Sequence, residues 1–329
     1  MSLRLEVKTE AQSWPLAGTF AISRGAKTVA DVLVVTVSDG EITGSGECVP
    51  YGRYGETMDS VQAQLEAVKH IECEADELDL LSARLAAGAA RNAFDCALWD
   101  YRAKRSGQRV WSLAGLDTPQ PVTSAFTLSL DSPEKMAEAA ALNASRPLLK
   151  MKLAGDGDLE RVAAVREQAP NATLIVDANE GWKPEQIEPM SLGLAELGVA
   201  MVEQPVHADE DHVLADLEHP LPFCADESCH TREGLHALKT RYEFVNIKLD
   251  KTGGLTEALA LREEARAAGF RVMVGCMMGT SLAMAPALLV AQGAEFVDLD
   301  GPLWMAKDRV PGLIFDGSVV SPPSPDVWG

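Results

Sequence analysis

The chain has 329 residues, 47% hydrophobic and 24% charged, with 26 Gly and 18 Pro, enough for roughly two domains or one barrel with an addition. This composition excludes collagen-like, low-complexity and wholly disordered classes. A formal net charge of −20 repels nucleic acid phosphates and anionic lipid surfaces, so neither partner is expected, and an anionic small substrate needs a locally positive pocket.

The first residues alternate polar and apolar and carry no signal-peptide h-region. The longest nearly apolar stretch, 282–291, contains Pro286 and is half the ~20 residues a membrane span needs. Six cysteines (Cys48, Cys73, Cys96, Cys224, Cys229, Cys276) form no CxxC pair and read as reduced thiols of a cytoplasmic protein.

Residues 3–49 read as antiparallel strands: Leu3, Leu5 and Val7 alternate, and the run 32–37 enters a turn at 38–41. From Met58 to Arg105 the spacing is helical, with Gly107 closing the last helix. These features predict an α+β domain over 1–118. After Pro119 eight short β-rich runs alternate with helical stretches, at 122–130, 148–153, 173–177, 201–203, 222–226, 244–249, 271–275 and 295–300. Eight such runs argue a closed parallel barrel over 119–304. The Pro- and Gly-rich tail, 305–329, is expected to return to the smaller domain.

Polar residues end successive runs at Lys152, Asp177, Glu203, Asp226 and Lys248, at intervals of 25, 26, 23 and 22 residues. In a parallel barrel all these ends open on one face, so the five converge. Three carboxylates, Asp177, Glu203 and Asp226, cannot all stay ionised there without a cation. An all-oxygen set suits Mg²⁺, with Mn²⁺ a near rival, although the same carboxylates could instead cap helices or pair with lysines. Lys150 and Lys152 share a face of one run, and Lys248 ends the run across the barrel. Such lysines can act as bases once desolvation or nearby positive charge lowers their pKa, or can simply form salt bridges. Asp298 and Asp300 again share one face and fit an ammonium group.

Lys150-Met151-Lys152, Asp177-Ala178-Asn179, Glu203-Gln204-Pro205, Asp226-Glu227-Ser228 and Asn246-Ile247-Lys248 resemble the strand-end motifs of the enolase superfamily, muconate lactonizing enzyme subgroup. Asp298-Leu299-Asp300 is similar to the DxD signature of its dipeptide epimerases. Glu47-Cys48-Val49-Pro50-Tyr51 and Tyr54-Gly55-Glu56 extend the match into the N-terminal third. The resemblance implies an α/β fold, a modified TIM barrel (β/α)₇β with an N-terminal α+β capping domain, and Mg²⁺ on Asp177, Glu203 and Asp226. It casts Lys152 and Lys248 as two bases and Lys150 as a supporting cation beside the substrate carboxylate; use of a Lys base with Mg²⁺ is an established pattern of this superfamily. Thr127, Cys276 and Met277 match pocket positions, and Arg24 resembles a capping-loop arginine that grips a glutamate side chain.

The expected activity is therefore epimerisation of dipeptides such as L-Ala-D/L-Glu, serving murein peptide recycling. Removing the α proton places a second negative charge on the carboxylate, which a dication and an ammonium stabilise. The competing expectations are a cycloisomerase or o-succinylbenzoate synthase reaction on the same scaffold, or a non-catalytic metal- or peptide-binding barrel. A homo-oligomer is compatible with all three.

Overall fold

The computed structural model describes residues 2–329. Four antiparallel strands, β1 (Ser2–Ile22), β2 (Gly25–Ser38), β3 (Thr43–Cys48) and β4 (His70–Glu74), form a sheet in the order β3-β2-β1-β4. Leu3, Leu5 and Val7 are buried while their neighbours face water, as the alternation predicts. The helix Ala89–Ser106 packs on this sheet, and Gly44 and Gly46 permit the approach, because a Cβ at either would collide with the backbone of Tyr101 or Ala93. Gly107 ends that helix at φ 69°, a conformation that favours glycine.

The helical spacing read from Met58 to Arg105 is not one run of helix. Helix Met58–Glu66 is followed by β4, then 3₁₀ turns over Ala75–Arg84, before Ala89. In β4, Ile71 and Cys73 alternate with His70, Glu72 and Glu74, and pairing with β1 buries both apolar side chains. Five residues of alternation are too few to outweigh the helical pattern around them until β1 is in place as a partner.

β1 and β2 run on past the sheet as a long hairpin, with a register shift between Pro15 and Phe20. Its tip reaches the other domain: Ala21 N–H donates to Ser129 Oγ (2.8 Å), Ala21 O accepts from Leu130 N–H (3.0 Å), and Ser23 Oγ donates to Asn179 O (2.9 Å). These bonds hang Arg24 over the neighbouring barrel.

The run 122–130 is split. β5 (Val122–Thr123) pairs with β15 (Val319–Val320), which in turn pairs with β14 (Phe315–Asp316), and only β6 (Phe126–Leu128) joins the barrel. The barrel strands continue as β7 (Leu148–Lys152), β8 (Thr173–Asp177), β9 (Val199–Glu203), β10 (Phe223–Ala225), β11 (Phe244–Ile247), β12 (Arg271–Val274) and β13 (Phe296–Val297), all parallel and in sequential order. Ala125 N–H donates to Val297 O at 2.7 Å, which ties the first strand to the last. The connections after β9 and β10 are 3₁₀ segments, Ala208–Asp216 and Leu235–Leu238, whereas helices such as Asp158–Gln168 and Leu255–Ala267 cover other faces.

Inside the barrel, Ile175, Met201, Cys224, Phe244 and Met273 form an apolar plug. The polar strand ends sit above it, toward the C-terminal mouth. The tail returns to the first domain: Val110 N–H donates to Gly329 O (3.1 Å), Gly329 N–H to Asp100 Oδ1 (2.8 Å), and Trp328 Nε1 to Ser45 O (3.1 Å). Among the described residues no helix is long and apolar enough to cross a membrane.

Candidate active site

A cavity of about 400 Å³ opens where the hairpin meets the barrel mouth. Arg24, Thr127, Lys150, Lys152, Asp226, Lys248, Cys276, Met277, Asp298 and Asp300 all line it, so residues from six barrel strand ends and the hairpin share one space. Asp177 and Glu203 lie in the wall behind them, fully buried.

The lysines and carboxylates interlock. Lys152 Nζ is 2.6 Å from Asp177 Oδ2, and Lys150 Nζ is 3.3 Å from that same oxygen, 2.6 Å from Glu203 Oε2 and 2.8 Å from Asp298 Oδ2. Lys248 Nζ lies 2.6 Å from Asp226 Oδ2, while Lys251 Nζ holds Oδ1 at 2.7 Å. Burial alone disfavours each charge, but the pairing reverses this for several groups. Lys150 is raised well above its ordinary pKa by Asp298, Glu203 and Asp177, and Lys248 by Asp226 and Glu203. Asp177 is lowered to about 2 by Lys152 and Lys150, and Asp226 is driven further down by Lys248 and Lys251. Glu203 goes the other way, raised by burial and by Asp177.

Each carboxylate is drawn toward a different ammonium, and among the described residues no three acidic, His or Cys side chains already stand as a metal cage. The donor set nevertheless fits a hard cation. Glu203 Oε1 accepts from Asn246 Nδ2 at 2.7 Å, but buried Oε2 has no hydrogen bond, Lys150 lying near it outside hydrogen-bond geometry. Asp177, Glu203, Asp226, Asp298 and Asp300 outnumber Lys150, Lys152, Lys248 and Lys251. A buried excess of negative charge with an unsatisfied oxygen is a place for a cation.

At the opposite rim Asp298 Oδ1 meets Thr127 Oγ1 (3.3 Å), and Asp300 Oδ2 accepts Thr127 N–H (2.6 Å). Asp298 is already paired with Lys150, whereas among the described residues Asp300 pairs with no ammonium, and it is raised to about 7 by burial and by Asp298. Arg24, its side chain 27% exposed, faces Glu227 Oε1 (2.7 Å) and Glu180 Oε2 (3.2 Å).

Sequence reading missed Lys251 and gave no role to Glu227 or Gln204, which entered it only as motif members. Lys251 stands one helical turn after Lys248 in Leu249–Thr252, a spacing that returns it to Asp226. Buried Gln204, at φ 35°, accepts Asp226 N–H through Oε1 (2.9 Å) and donates through Nε2 to Tyr242 OH (2.9 Å). Its pairing to Tyr242 has no local signature in the sequence.

Two carboxylate-lined lysines thus face one cavity at the mouth of a parallel barrel, under an α+β cap. Residues 4–115 match the mandelate racemase / muconate lactonizing enzyme N-terminal domain, and residues 135–315 match the enolase C-terminal domain-like family. The chain belongs to this family. It is 50% identical over 311 residues to the L-Ala-D/L-Glu epimerase of Escherichia coli (strain K12), covering 94% of this chain and 97% of that one. It is 44% identical over 305 residues to the N-acetyl-D-glutamate racemase of a Pseudoalteromonas species, covering 91% and 95%. Among solved structures, an enolase family member from Agrobacterium tumefaciens with homology to dipeptide epimerases, with sodium and L-Ala-L-Glu bound, superposes with a TM-score of 0.94 at 50% identity over 99% of this chain and 100% of that one. A dipeptide epimerase from Enterococcus faecalis V583, complexed with Mg and L-Leu-L-Tyr, gives 0.89 at 26% identity, covering 98% of each chain.

Proposed function

We propose that this protein is a Mg²⁺-dependent dipeptide epimerase acting on L-Ala-D/L-Glu. The observation that carries the reading is the placement of Lys152 at the end of β7 and Lys248 just past the end of β11, strands four apart in an eight-stranded barrel, lining one cavity. A substrate α carbon between them presents one C–H face to each lysine. Against the effect of burial, Asp226 and Glu203 raise Lys248 above its ordinary pKa rather than lowering it; a cation on those carboxylates would weaken that hold. One lysine then removes the proton while the other returns a proton to the opposite face, which inverts the centre. Lys150 holds positive charge beside the substrate carboxylate, where negative charge grows during proton removal.

Asp177, Glu203 and Asp226 would hold the Mg²⁺, which when bound supplies Lewis-acid stabilisation of that carboxylate. Asp300 and Asp298 receive the substrate ammonium, and Thr127, Cys276 and Met277 line its surroundings. Arg24 takes the glutamate side-chain carboxylate, turning from Glu227 to do so. The hairpin that carries it overhangs the cavity mouth. Such a substrate suits a cytoplasmic enzyme of murein peptide recycling, in keeping with the free thiols of all six cysteines.

The test is incubation with L-Ala-L-Glu and Mg²⁺ in D₂O. L-Ala-D-Glu should accumulate to equilibrium with deuterium at the glutamate α carbon in both epimers. Unlabelled, unchanged dipeptide would reject the reading.

One observation favours a second substrate: Asp298 is already bound to Lys150, which leaves the ammonium site with a single unpaired carboxylate. An N-acylated glutamate, which needs no ammonium site, is the alternative, and the N-acetyl-D-glutamate racemase relative acts on such a compound. N-acetyl-D-glutamate in the same D₂O assay separates the two.

A further inference from the structure

Six cations line the cavity: Arg24, Lys27, Arg53, Lys150, Lys152 and Lys248. Five of them are ion-paired. The three barrel lysines belong to Asp177, Glu203, Asp226 and Asp298. Arg53 clamps Glu180 through Nε and Nη2, both at 2.7 Å. Arg24 Nη1 donates to Asn179 O (2.8 Å) and faces Glu180 (3.2 Å), while Nη2 donates to Tyr51 OH (2.9 Å) and Glu227 (2.7 Å). With Glu227 ionised, two guanidiniums oppose two carboxylates and the cluster is neutral before substrate enters; burial and Asp226 raise Glu227 to about 7, so this balance holds above that pH.

A second substrate carboxylate added to a neutral cluster would bring one uncompensated charge into a partly desolvated wall, within a chain of net −20. While Glu227 stays ionised, turning Arg24 away from it does not change that sum. The sixth cation does. Lys27 stands near the start of β2, three residues after Arg24, and forms no ion pair among the described residues. Its Nζ is 5.8 Å from the ring centroid of Tyr51, whose hydroxyl holds Arg24. It therefore brings the cluster to +1, the charge that one carboxylate neutralises.

We infer that Lys27 is a specificity-determining residue, the cation that supplies the net charge for an acidic side chain at the substrate's second position, with Arg24 supplying directed hydrogen bonds. This rests on the dipeptide reading above. Because the side-chain carboxylate is equally charged in substrate and transition state, the contribution is uniform binding and appears in KM.

The experiment compares L-Ala-L-Glu with L-Ala-L-Gln on the Mg²⁺-loaded enzyme. Lys27→Met keeps the aliphatic stem and should raise KM for L-Ala-L-Glu about tenfold or more, with kcat little changed and L-Ala-L-Gln within about twofold of wild type. Lys27→Arg should retain the preference. Adding Glu227→Gln to Lys27→Met returns the cluster to +1 and should recover selectivity for the acid over the amide. Equal losses on both dipeptides, or a Lys27→Arg enzyme as impaired as Lys27→Met, would overturn the assignment. A wild type inactive on both dipeptides but active on N-acetylglutamate would reject the dipeptide reading alone. The Lys27 comparison would then be decided on N-acetylglutamate against N-acetylglutamine.

Discussion

Lys150 Nζ lies 2.6 Å from Glu203 Oε2, a buried carboxylate oxygen that no hydrogen bond satisfies. The pair places a positive charge where the carboxylates meet, and this single lysine also reaches Asp177 and Asp298. It links the proposed metal side of the cavity to the proposed ammonium side. Changes on either side should be felt through it.

The metal assignment predicts that chelation abolishes turnover and that added Mg²⁺ restores it. Glu203→Gln should bind Mg²⁺ much more weakly by titration calorimetry, since it removes one charge from an oxygen donor set. Full turnover in metal-free enzyme would reject the assignment.

Opposed lysines predict epimer-selective damage. Lys152→Ala and Lys248→Ala should each abolish epimerisation, yet each should leave slow α-proton exchange from the one epimer that faces the remaining lysine. NMR of each pure epimer in D₂O reads this directly. Equal residual exchange from both epimers in both variants contradicts a two-base arrangement.

For the ammonium site, N-acetylation of the dipeptide and Asp298→Asn should each lower kcat/KM by roughly 10- to 150-fold, from about 1.5 to 3 kcal/mol for a charge-assisted hydrogen bond. The Asp298 substitution also loosens Lys150, so the Asn variant should lose kcat as well as binding. Undiminished turnover of the N-acetyl dipeptide would favour N-acylglutamate substrates.

Removal of Arg24 tests the glutamate grip. Arg24→Ala should cut kcat/KM for L-Ala-L-Glu by roughly one to two orders of magnitude on the same energy scale, because it deletes the guanidinium that bonds Asn179, Glu180, Tyr51 and Glu227 and that would meet the substrate carboxylate. L-Ala-L-Gln should be far less affected. Parallel losses on both would assign Arg24 to closing the hairpin.

Stability should carry a pH signature from Asp250. This carboxyl is raised to about 7 by burial, although Val49 N–H (3.0 Å) and Asn92 Nδ2 (2.8 Å) stabilise its charged form. Between its unfolded value near 4 and about 7 the folded state holds the extra proton, so this group's contribution to stability falls as pH rises through that window. Asp250→Asn should therefore melt above wild type at pH 8, with the gap narrowing toward pH 4. A gap independent of pH would show that Asp250 does not titrate between the two states.

The sequence by itself determined the barrel and its chemical face. Eight β-rich runs at nearly one βα unit apart specify a parallel sheet, and a parallel sheet sends every strand's C-terminal end to one side. Lys152, Asp177, Glu203, Asp226 and Lys248 therefore had to converge, whatever their separation along the chain. Tertiary structure decided what has no period. β4 is a strand because β1 lies beside it, and 122–130 divides because Val122 and Thr123 pair with a strand almost two hundred residues later. The charge balance of the site was likewise invisible: Arg24 is neutralised by Glu227 and Glu180 from different strand ends, and Lys27 is left unmatched. Such balances depend on Coulomb interactions over a few ångströms between residues up to 203 positions apart, and only the closed barrel brings them within that range.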